Sequence, residues 1–431
     1  MAAEVFPRRT VIGQRQFEQL RELLRGLTPA NPFYTTKYDT ARAPSKISRL
    51  HDYYDGFPFT TKDELVADQA ANPPYGTNFT YPLEHYTRCH QTSGTSGRPL
   101  YWLDTPESWD VMLRNWQIVL RAAGVVQGDT VFFAFSFGPF LGFWLAFEAA
   151  LQMGCRSLPG GGLSSAARVR SILDHGATVL CCTPTYALHL AEVAAKEGID
   201  LSASRVRTIL VAGEPGGSVP AVRERIASLW PGARVCDHHG MTETGPVTFE
   251  CPVRPGVLHV MESSFFPENI DPTTGAQLHP GDTGELVLTT LGRPGSPLLR
   301  YRTGDLVKTA LDGICECGRG DLALEGGILG RVDDMVVVRG VNVYPSALEQ
   351  ILRARGDVAE YQVRVVTREA LTELQLTVEL SPTAVVETSA LVAELESALQ
   401  IALSLRVPVT IAAAGTLPRF EMKAKRWVRE S

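Results

Sequence analysis

The feature that most constrains this chain is a strict alternation of two periodicities between Trp109 and Asp237. Helix-like stretches (about Trp109–Ala123, Phe140–Met153, Ala166–His175, Tyr186–Lys196 and Val219–Leu229) are separated by short apolar runs at Thr130–Phe135, Arg156–Leu158, Thr178–Cys182, Val206–Val211 and Arg234–Asp237. Helices alternating with short Val/Leu/Cys-rich strands predict parallel βαβ units with helices on both faces of the sheet. Ligands of such sheets bind beyond the carboxyl ends of the strands. Those ends carry Gly138, Thr183-Pro184, Ala212-Gly213-Glu214-Pro215 and His238-His239-Gly240. The apolar stretch Val131–Met153 is long enough to suggest a membrane span. Ser136-Phe137-Gly138-Pro139 interrupts it and Glu148 lies in its second half, so it reads as a strand, a turn and a core helix.

The flanks differ from this middle. Gln14–Leu27 places Phe17, Leu20, Leu23 and Leu24 on one helical face, and Pro and Gly then predict loops up to Gln91. Beyond about Gly245 strands and turns dominate. After Gly330 comes a complete α+β set: a hairpin (Met335–Val343), a helix from Pro345, strands at Glu360–Val366 and Leu371–Leu380, a helix (Ser389–Leu405) and a strand (Val407–Ile411). The expected architecture is α/β. A large N-terminal domain, residues 1–332, has parallel βαβ sheet layers and a β-rich subdomain at about 246–330; a small mobile α+β domain spans 333–431.

Composition narrows the function. Hydrophobic residues make up 44% of the 431, enough for a sizeable core. Basic and acidic side chains number 41 and 47, a net charge of −6, which argues against a nucleic-acid coat or a polybasic membrane binder. Eight scattered cysteines are too few for a disulfide scaffold, and the N-terminal residues lack the apolar core of a secretory signal. A cytoplasmic protein with reduced thiols is expected; a homodimer is left open.

The first chemical motif is Gln91-Thr92-Ser93-Gly94-Thr95-Ser96-Gly97-Arg98-Pro99. Its small residues let backbone N–H groups approach a ligand, and its hydroxyls and one cation suit phosphate oxygens. The spacing differs from the G-x-x-x-x-G-K-[ST] phosphate loop. Four further segments follow in order: His239-Gly240-Met241-Thr242-Glu243, Tyr301-Arg302-Thr303-Gly304-Asp305, Arg331 with Asp333-Asp334, and Pro418-Arg419-Phe420-Glu421-Met422-Lys423. Together they resemble the adenylate-forming superfamily of acyl- and aryl-CoA synthetases, luciferases and adenylation domains. Pro58-Phe59-Thr60-Thr61-Lys62, Val179-Leu180-Cys181-Cys182-Thr183-Pro184 and Arg339-Gly340-Val341-Asn342-Val343-Tyr344-Pro345-Ser346 make the chain similar to the phenylacetate-CoA ligase family in particular.

The resemblance implies an acid–thiol ligase. A carboxylate attacks the α-phosphorus of ATP to give an acyl-adenylate and pyrophosphate; a thiol then displaces AMP. By the same resemblance Ser93, Gly94, Thr95, Ser96, Gly97 and Arg98 wrap the phosphates. Gly213, Glu214, Pro215, Asp237, His238, His239, Gly240 and Met241 border the nucleotide, with His239 where relatives carry a tyrosine that stacks on adenine. Thr242 touches the α-phosphate and Glu243 holds Mg²⁺. Asp305 accepts both ribose hydroxyls, and Arg331 reaches the nucleotide. Lys423 spans the α-phosphate and the substrate carboxylate, although Met422 replaces the usual glycine before it. Asp333 matches the hinge about which the C-terminal module turns between half-reactions.

Two regions remain. Cys315-Glu316-Cys317, with Cys251 and His259 upstream, supplies the soft ligands of a closed Cys₃His zinc site of structural type, and the resemblance favours the same reading. The acyl pocket is expected at Phe137, Gly138, Phe140, Ala212, Gly213 and His238, where aromatic rings and glycines make a flat slot for an aryl or arylacetic acid. The expected partners are ATP, Mg²⁺, an aromatic acid and coenzyme A. The alternative acceptor is the phosphopantetheine arm of a carrier protein; a non-catalytic adenylate-binding protein is the reading from another class.

Overall fold

The computed structural model describes residues 6–92, 99–311, 313–338, 341–368, 371–381, 384, 386–420 and 424–430. The chain forms two compact units, Met1–Gly161 with Asp237–Gly327, and Gly162–Cys236 with Ile328–Ser431.

In the first unit, the sequence between the opening helix (Arg9–Leu27) and Gln91 departs from expectation. In place of continuous loops it contains helices at Pro32–Ala41, Leu50–Gly56 and Lys62–Ala71. Each is seven to ten residues long, too short for a clear apolar stripe, so periodicity misses them. Their signals are caps. Asn31 accepts from the Tyr34 N–H with Pro32 in the first turn; Thr61 and Glu64 form a reciprocal capping box. These helices bury Tyr34, Tyr38, Tyr53 and Phe57 against Leu20, Leu23 and Leu27 of the first helix and Phe266 and Leu299 of the β-rich segment.

The expected βαβ elements follow, with their ends shifted by up to three residues in either direction. Thr130–Phe133 and Arg156–Pro159 pair in parallel around the Leu141–Gln152 helix, so the long apolar stretch is a strand, a turn and a core helix. No helix among the described residues is long and apolar enough to cross a membrane. The β-rich part is a six-stranded sheet in the order Thr248–Glu250, Leu258–Val260, Ala323–Arg331, Tyr301–Thr309, Thr283–Thr290, Phe265–Ile270. Residues 246–252 and 257–261 are almost entirely buried, which is why simple alternation is faint there.

In the second unit, Val179–Cys182 pairs in parallel with Thr208–Val211, and Arg234–Asp237 lies next in order. The helices Ser165–Asp174, Pro184–Lys196 and Pro220–Leu229 connect them. The C-terminal part is a four-stranded sheet, Val409–Ala412, Leu371–Leu380, Val358–Arg368, Trp427–Glu430, its central pair antiparallel and its outer pairs parallel. The Pro345–Arg353 and Thr388–Leu403 helices bury Leu348, Leu352, Leu391, Leu395 and Leu399 in its core. The closing strand Trp427–Glu430 is too short to announce itself by pattern.

One buried pair ties the N-terminal helices to the sheet. Arg300 meets both carboxylate oxygens of Glu268, at 2.8–3.1 Å, and its Nη1 donates to the Phe57 carbonyl at 2.7 Å. Removing one member strands the other charge out of water. Arg300→Met is expected to lower the urea unfolding free energy by about 3–5 kcal/mol; a change below about 1 kcal/mol contradicts this anchoring role.

Candidate active site

Asp237 ends the strand Arg234–Asp237, and the five-residue motif begins two positions later. Its backbone is fixed by the neighbouring Thr248–Glu250 strand. The Asp237 N–H donates to Glu250 Oε2 at 2.7 Å, and the His239 N–H donates to Thr248 Oγ1 at 2.9 Å. His238 Nδ1 lies 2.8 Å from the Thr248 carbonyl oxygen. A carbonyl only accepts, so Nδ1 carries the proton and Nε2 holds a lone pair. The ring centroid is 4.4 Å from that of Trp116, and burial pushes its pKa down to about 4. Gly240 pairs with Pro246 in a two-residue ribbon, where a Cβ would stand 2.8 Å from the Gly245 carbonyl oxygen; only glycine fits.

Glu243 is buried, and its Oε1 lies 3.0 Å from Lys62 Nζ. Lys62 opens the Lys62–Ala71 helix, where the helix dipole disfavours a cation. The Glu243 carboxylate offsets that cost. Behind the turn, Arg293 contacts both oxygens of Asp104 at 2.6 Å, and its Nη1 donates to the carbonyls of Thr242 at 2.9 Å and Glu243 at 2.8 Å. Arg293 and Asp104 are buried. Arg293 thus holds the turn's carbonyls while the Glu243 carboxylate pairs with Lys62. Lys62 belongs to a motif quoted above but carries no expected role there, and Arg293 and Asp104 belong to no motif. The Phe-Thr-Thr-Lys run was visible for Lys62, but nothing local marks Arg293, fifty residues along the chain.

Asp305 meets the first residue of the same motif. Opposite it the Thr283–Thr290 strand shifts register between Glu285 and Val287, and Gly304 has φ +76°, so the Thr303–Asp305 stretch bulges and turns its carboxylate aside. Asp305 Oδ2 lies 2.9 Å from His239 Nε2. The histidine expected to stack on a base therefore also contacts the carboxylate expected to take the ribose. The fold thus brings together two motif segments separated by more than sixty residues.

The remaining expected site residues sit as follows. The Phe137 ring packs edge-on against Trp144 and Phe147, with centroids 5.2 and 5.3 Å apart, and the Gly138 carbonyl accepts from Trp144 Nε1 at 2.9 Å. Phe140 is half-buried just before the Leu141–Gln152 helix. In the second unit, Ala212, Gly213, Glu214 and Pro215 follow the Thr208–Val211 strand. Arg331 pairs with Asp333 at 2.8 Å. Ser93, Gly94, Thr95, Ser96, Gly97, Arg98 and Lys423 lie outside the described residues.

The four soft ligands converge. Cys251, His259, Cys315 and Cys317 present ligand atoms that all lie within 4.8 Å of one another. Cys251 Sγ and Cys315 Sγ are 3.8 Å apart, and Cys317 Sγ is 3.4 Å from His259 Nε2. A tetrahedron with metal–sulfur bonds of about 2.3 Å has sulfur–sulfur edges of about 3.8 Å. His259 Nδ1 faces the Asp321 carbonyl at 3.2 Å, which leaves Nε2 as the ligand atom.

Two buried imidazoles set a pH dependence. Burial holds both His238 and His90 down at about 4, against about 6.5 in an unfolded chain. The unfolded state therefore takes up protons that the fold refuses, and this share of stability is full above pH 6.5 and is lost as pH falls towards 4. The urea midpoint is expected to drop between pH 7 and 5, with a smaller drop in His90→Gln/His238→Gln; identical slopes contradict the assignment.

The chain is similar to known proteins along most of its length. The sequence profile of the family described as AMP-binding enzyme matches residues 91–292, and that of the AMP-binding enzyme C-terminal domain matches residues 340–430. The phenylacetate-coenzyme A ligase of Pseudomonas putida is 32% identical over 423 residues, covering 95% of this chain and 92% of that protein. The phenylacetate-coenzyme A ligase of Thermus thermophilus is 35% identical over 369 residues, covering 85% and 81%. Among solved structures, 2-hydroxyisobutyryl-CoA ligase in the postadenylation state with R3-HIB-AMP matches with a TM-score of 0.91 at 28% identity, covering 96% of this chain and 89% of that one. The same ligase with 2-HIB-AMP and CoA in the thioesterification state gives 0.70, covering 99% and 91%. With two domain profiles in order and relatives above 30% identity over nearly the whole chain, this protein belongs to the phenylacetate-coenzyme A ligase family of AMP-binding enzymes.

Proposed function

We propose that the protein is an ATP-dependent acid–thiol ligase acting on an aromatic carboxylic acid, which it converts to an acyl-adenylate and then to a coenzyme A thioester, releasing pyrophosphate and AMP. The observation that carries this reading is the pairing of Glu243 with Lys62 and of His239 with Asp305, both built on the one motif that follows the Arg234–Asp237 strand. The curated relatives that share most of its length are named as coenzyme A ligases, which favours coenzyme A over a carrier-protein thiol.

In the first half-reaction, charge accumulates around phosphorus, so catalysis depends on positioned opposite charge more than on covalent help. Glu243 is a buried carboxylate that already attracts a cation, Lys62, and one carboxylate plus nucleotide phosphates is a donor set that suits Mg²⁺. Bound there, Mg²⁺ supplies charge neutralisation at the phosphates. Asp305, with two acceptor oxygens, takes the ribose hydroxyls, and His239 Nε2 steadies it from the side. The family resemblance assigns Ser93–Arg98 to the phosphates and Gly213, Pro215 and Arg331 to the nucleotide. Lys423 stabilises the attacking carboxylate and the α-phosphate as residues 333–431 move about Asp333. The ring of Phe137, edge-on to Trp144 and Phe147, with Phe140 and Gly138 beside it in sequence, supplies apolar surface suited to an aryl group. The fixed tautomer of His238 offers an acceptor to a hydroxyl or amino substituent.

Purified protein is expected to catalyse pyrophosphate exchange with benzoic or phenylacetic acids far better than with long-chain fatty acids, and to form thioester with coenzyme A. Glu243→Gln is expected to lower exchange by about 10²- to 10³-fold, the usual loss of one positioned electrostatic contact. Lys423→Ala is expected to remove nearly all exchange while sparing transfer from supplied acyl-adenylate; equal loss in both contradicts its role.

We also assign Cys251, His259, Cys315 and Cys317 to a structural zinc ion, with all four ligands from the protein and no position left for chemistry. About one zinc per chain is expected by elemental analysis. Cys315→Ser/Cys317→Ser is expected to lose it and to melt at lower temperature. Unchanged zinc content in that variant contradicts the site.

A further inference from the structure

Glu214 follows the Thr208–Val211 strand, in the stretch expected to meet the nucleotide. Its carboxylate is engaged by the chain itself. Oε1 accepts the Thr185 N–H at 2.8 Å, and Oε2 accepts the Ala424 N–H at 2.9 Å. The two contacts differ in kind. Thr185 is in the first turn of the Pro184–Lys196 helix, where backbone N–H groups lack helical partners and the dipole favours an anion. That bond fixes Glu214 within its own neighbourhood. Ala424 lies 210 residues away and is the residue next to Lys423.

Two further contacts converge on the same helix. Arg426, held at 2.6 and 3.1 Å by Glu360, places Nη1 and Nη2 3.3 Å from Thr185 Oγ1. Arg419 Nε lies 3.5 Å from Glu192 Oε2. The segment carrying Lys423 is thus tied to the Pro184–Lys196 helix on both sides of that lysine. Thr185 is the common point, receiving Arg426 on its hydroxyl and offering its N–H to Glu214. A carboxylate turned towards a nucleotide phosphate would meet repulsion, whereas here it makes two charge-assisted bonds to backbone N–H groups.

We propose that Glu214 is a positioning residue for adenylation: it latches the Lys423-bearing segment to the start of the Pro184–Lys196 helix, and the Ala424 contact must open before thioester formation. This rests on the ligase reading above. Glu214 touches no reacting atom; it acts by fixing where Lys423 is delivered, and small misplacements of a reacting group cost rate steeply. Glutamine at this position keeps one acceptor oxygen and sets an NH₂ group against the second N–H, so it cannot make both bonds.

The test uses full-length protein with Glu214→Ala and Glu214→Gln. Three quantities are measured: pyrophosphate exchange, transfer from synthetic acyl-adenylate to coenzyme A, and AMP affinity. Glu214→Ala is expected to lower exchange by about 10- to 100-fold and transfer much less, with any loss of AMP affinity far smaller than the loss of exchange. Glu214→Gln is expected to show the same split at smaller size. Equal loss in both half-reactions, or weakened AMP binding in proportion, overturns the latch and makes Glu214 a nucleotide contact or a scaffold residue. Amide hydrogen exchange at residues 424–430 is read in parallel and needs no activity. Faster exchange in either variant supports the latch and unchanged exchange overturns it. Wild-type protein inactive with every acid, yet showing faster exchange in the variants, sinks the ligase reading while leaving the latch intact.

Discussion

The guanidinium of Arg293 is the fixed point of the acid-bearing turn. Buried with Asp104 and bonded to two consecutive carbonyls, it leaves the Thr242–Glu243 backbone little freedom to rotate. A buried ion pair adds little net stability, because desolvation offsets most of the attraction. What this one supplies is direction. Its planar fork of donors makes bonds to three residues at once, which a lysine ammonium could not reproduce in that geometry. The strand Tyr101–Asp104, the turn at Thr242–Glu243 and the loop after Thr290 are thereby locked together from distant stretches of chain.

Around that fixed point, charge is handled in two ways. His238 is kept neutral by burial, and its bond to Thr248 fixes the tautomer, so it adds shape and an acceptor without adding a cation. Glu243 and Asp305 each stand beside a nitrogen-bearing side chain, Lys62 and His239. Preorganised groups of this sort need little rearrangement when charge develops on a substrate. The latch at Glu214 is a different device. Its bond to Thr185 is local, while its bond to Ala424 joins distant parts of the second unit, so only the latter can depend on the position of residues 333–431.

Legibility in the sequence followed physical range. The βαβ alternation was readable because buried parallel strands and amphipathic helices have different periods, and the observed elements differ from the expected ones mainly at their ends. The short helices between Pro32 and Ala71 were not read, because they are fixed by caps and by tyrosines packed on distant residues. The four zinc-ligand candidates were legible as residue types that demand a partner, and the fold does bring them within reach of one another. Arg293 gave no signal, since its partners are two backbone carbonyls and an aspartate nearly two hundred residues away.

Periodicity and motif residues act over a few positions, so the sequence alone carried the order of the βαβ elements, the family resemblance and the types of chemical group available. The tertiary structure decided which of those groups meet. That His239 contacts Asp305, that Lys62 faces Glu243 and that Glu214 holds the neighbour of a distant lysine depend on a bulge, a capped helix start and a helix terminus arriving together. Hydrogen bonds and ion pairs form only within about 3–4 Å. Sequence spacing does not encode proximity at that scale; packing of the completed fold does.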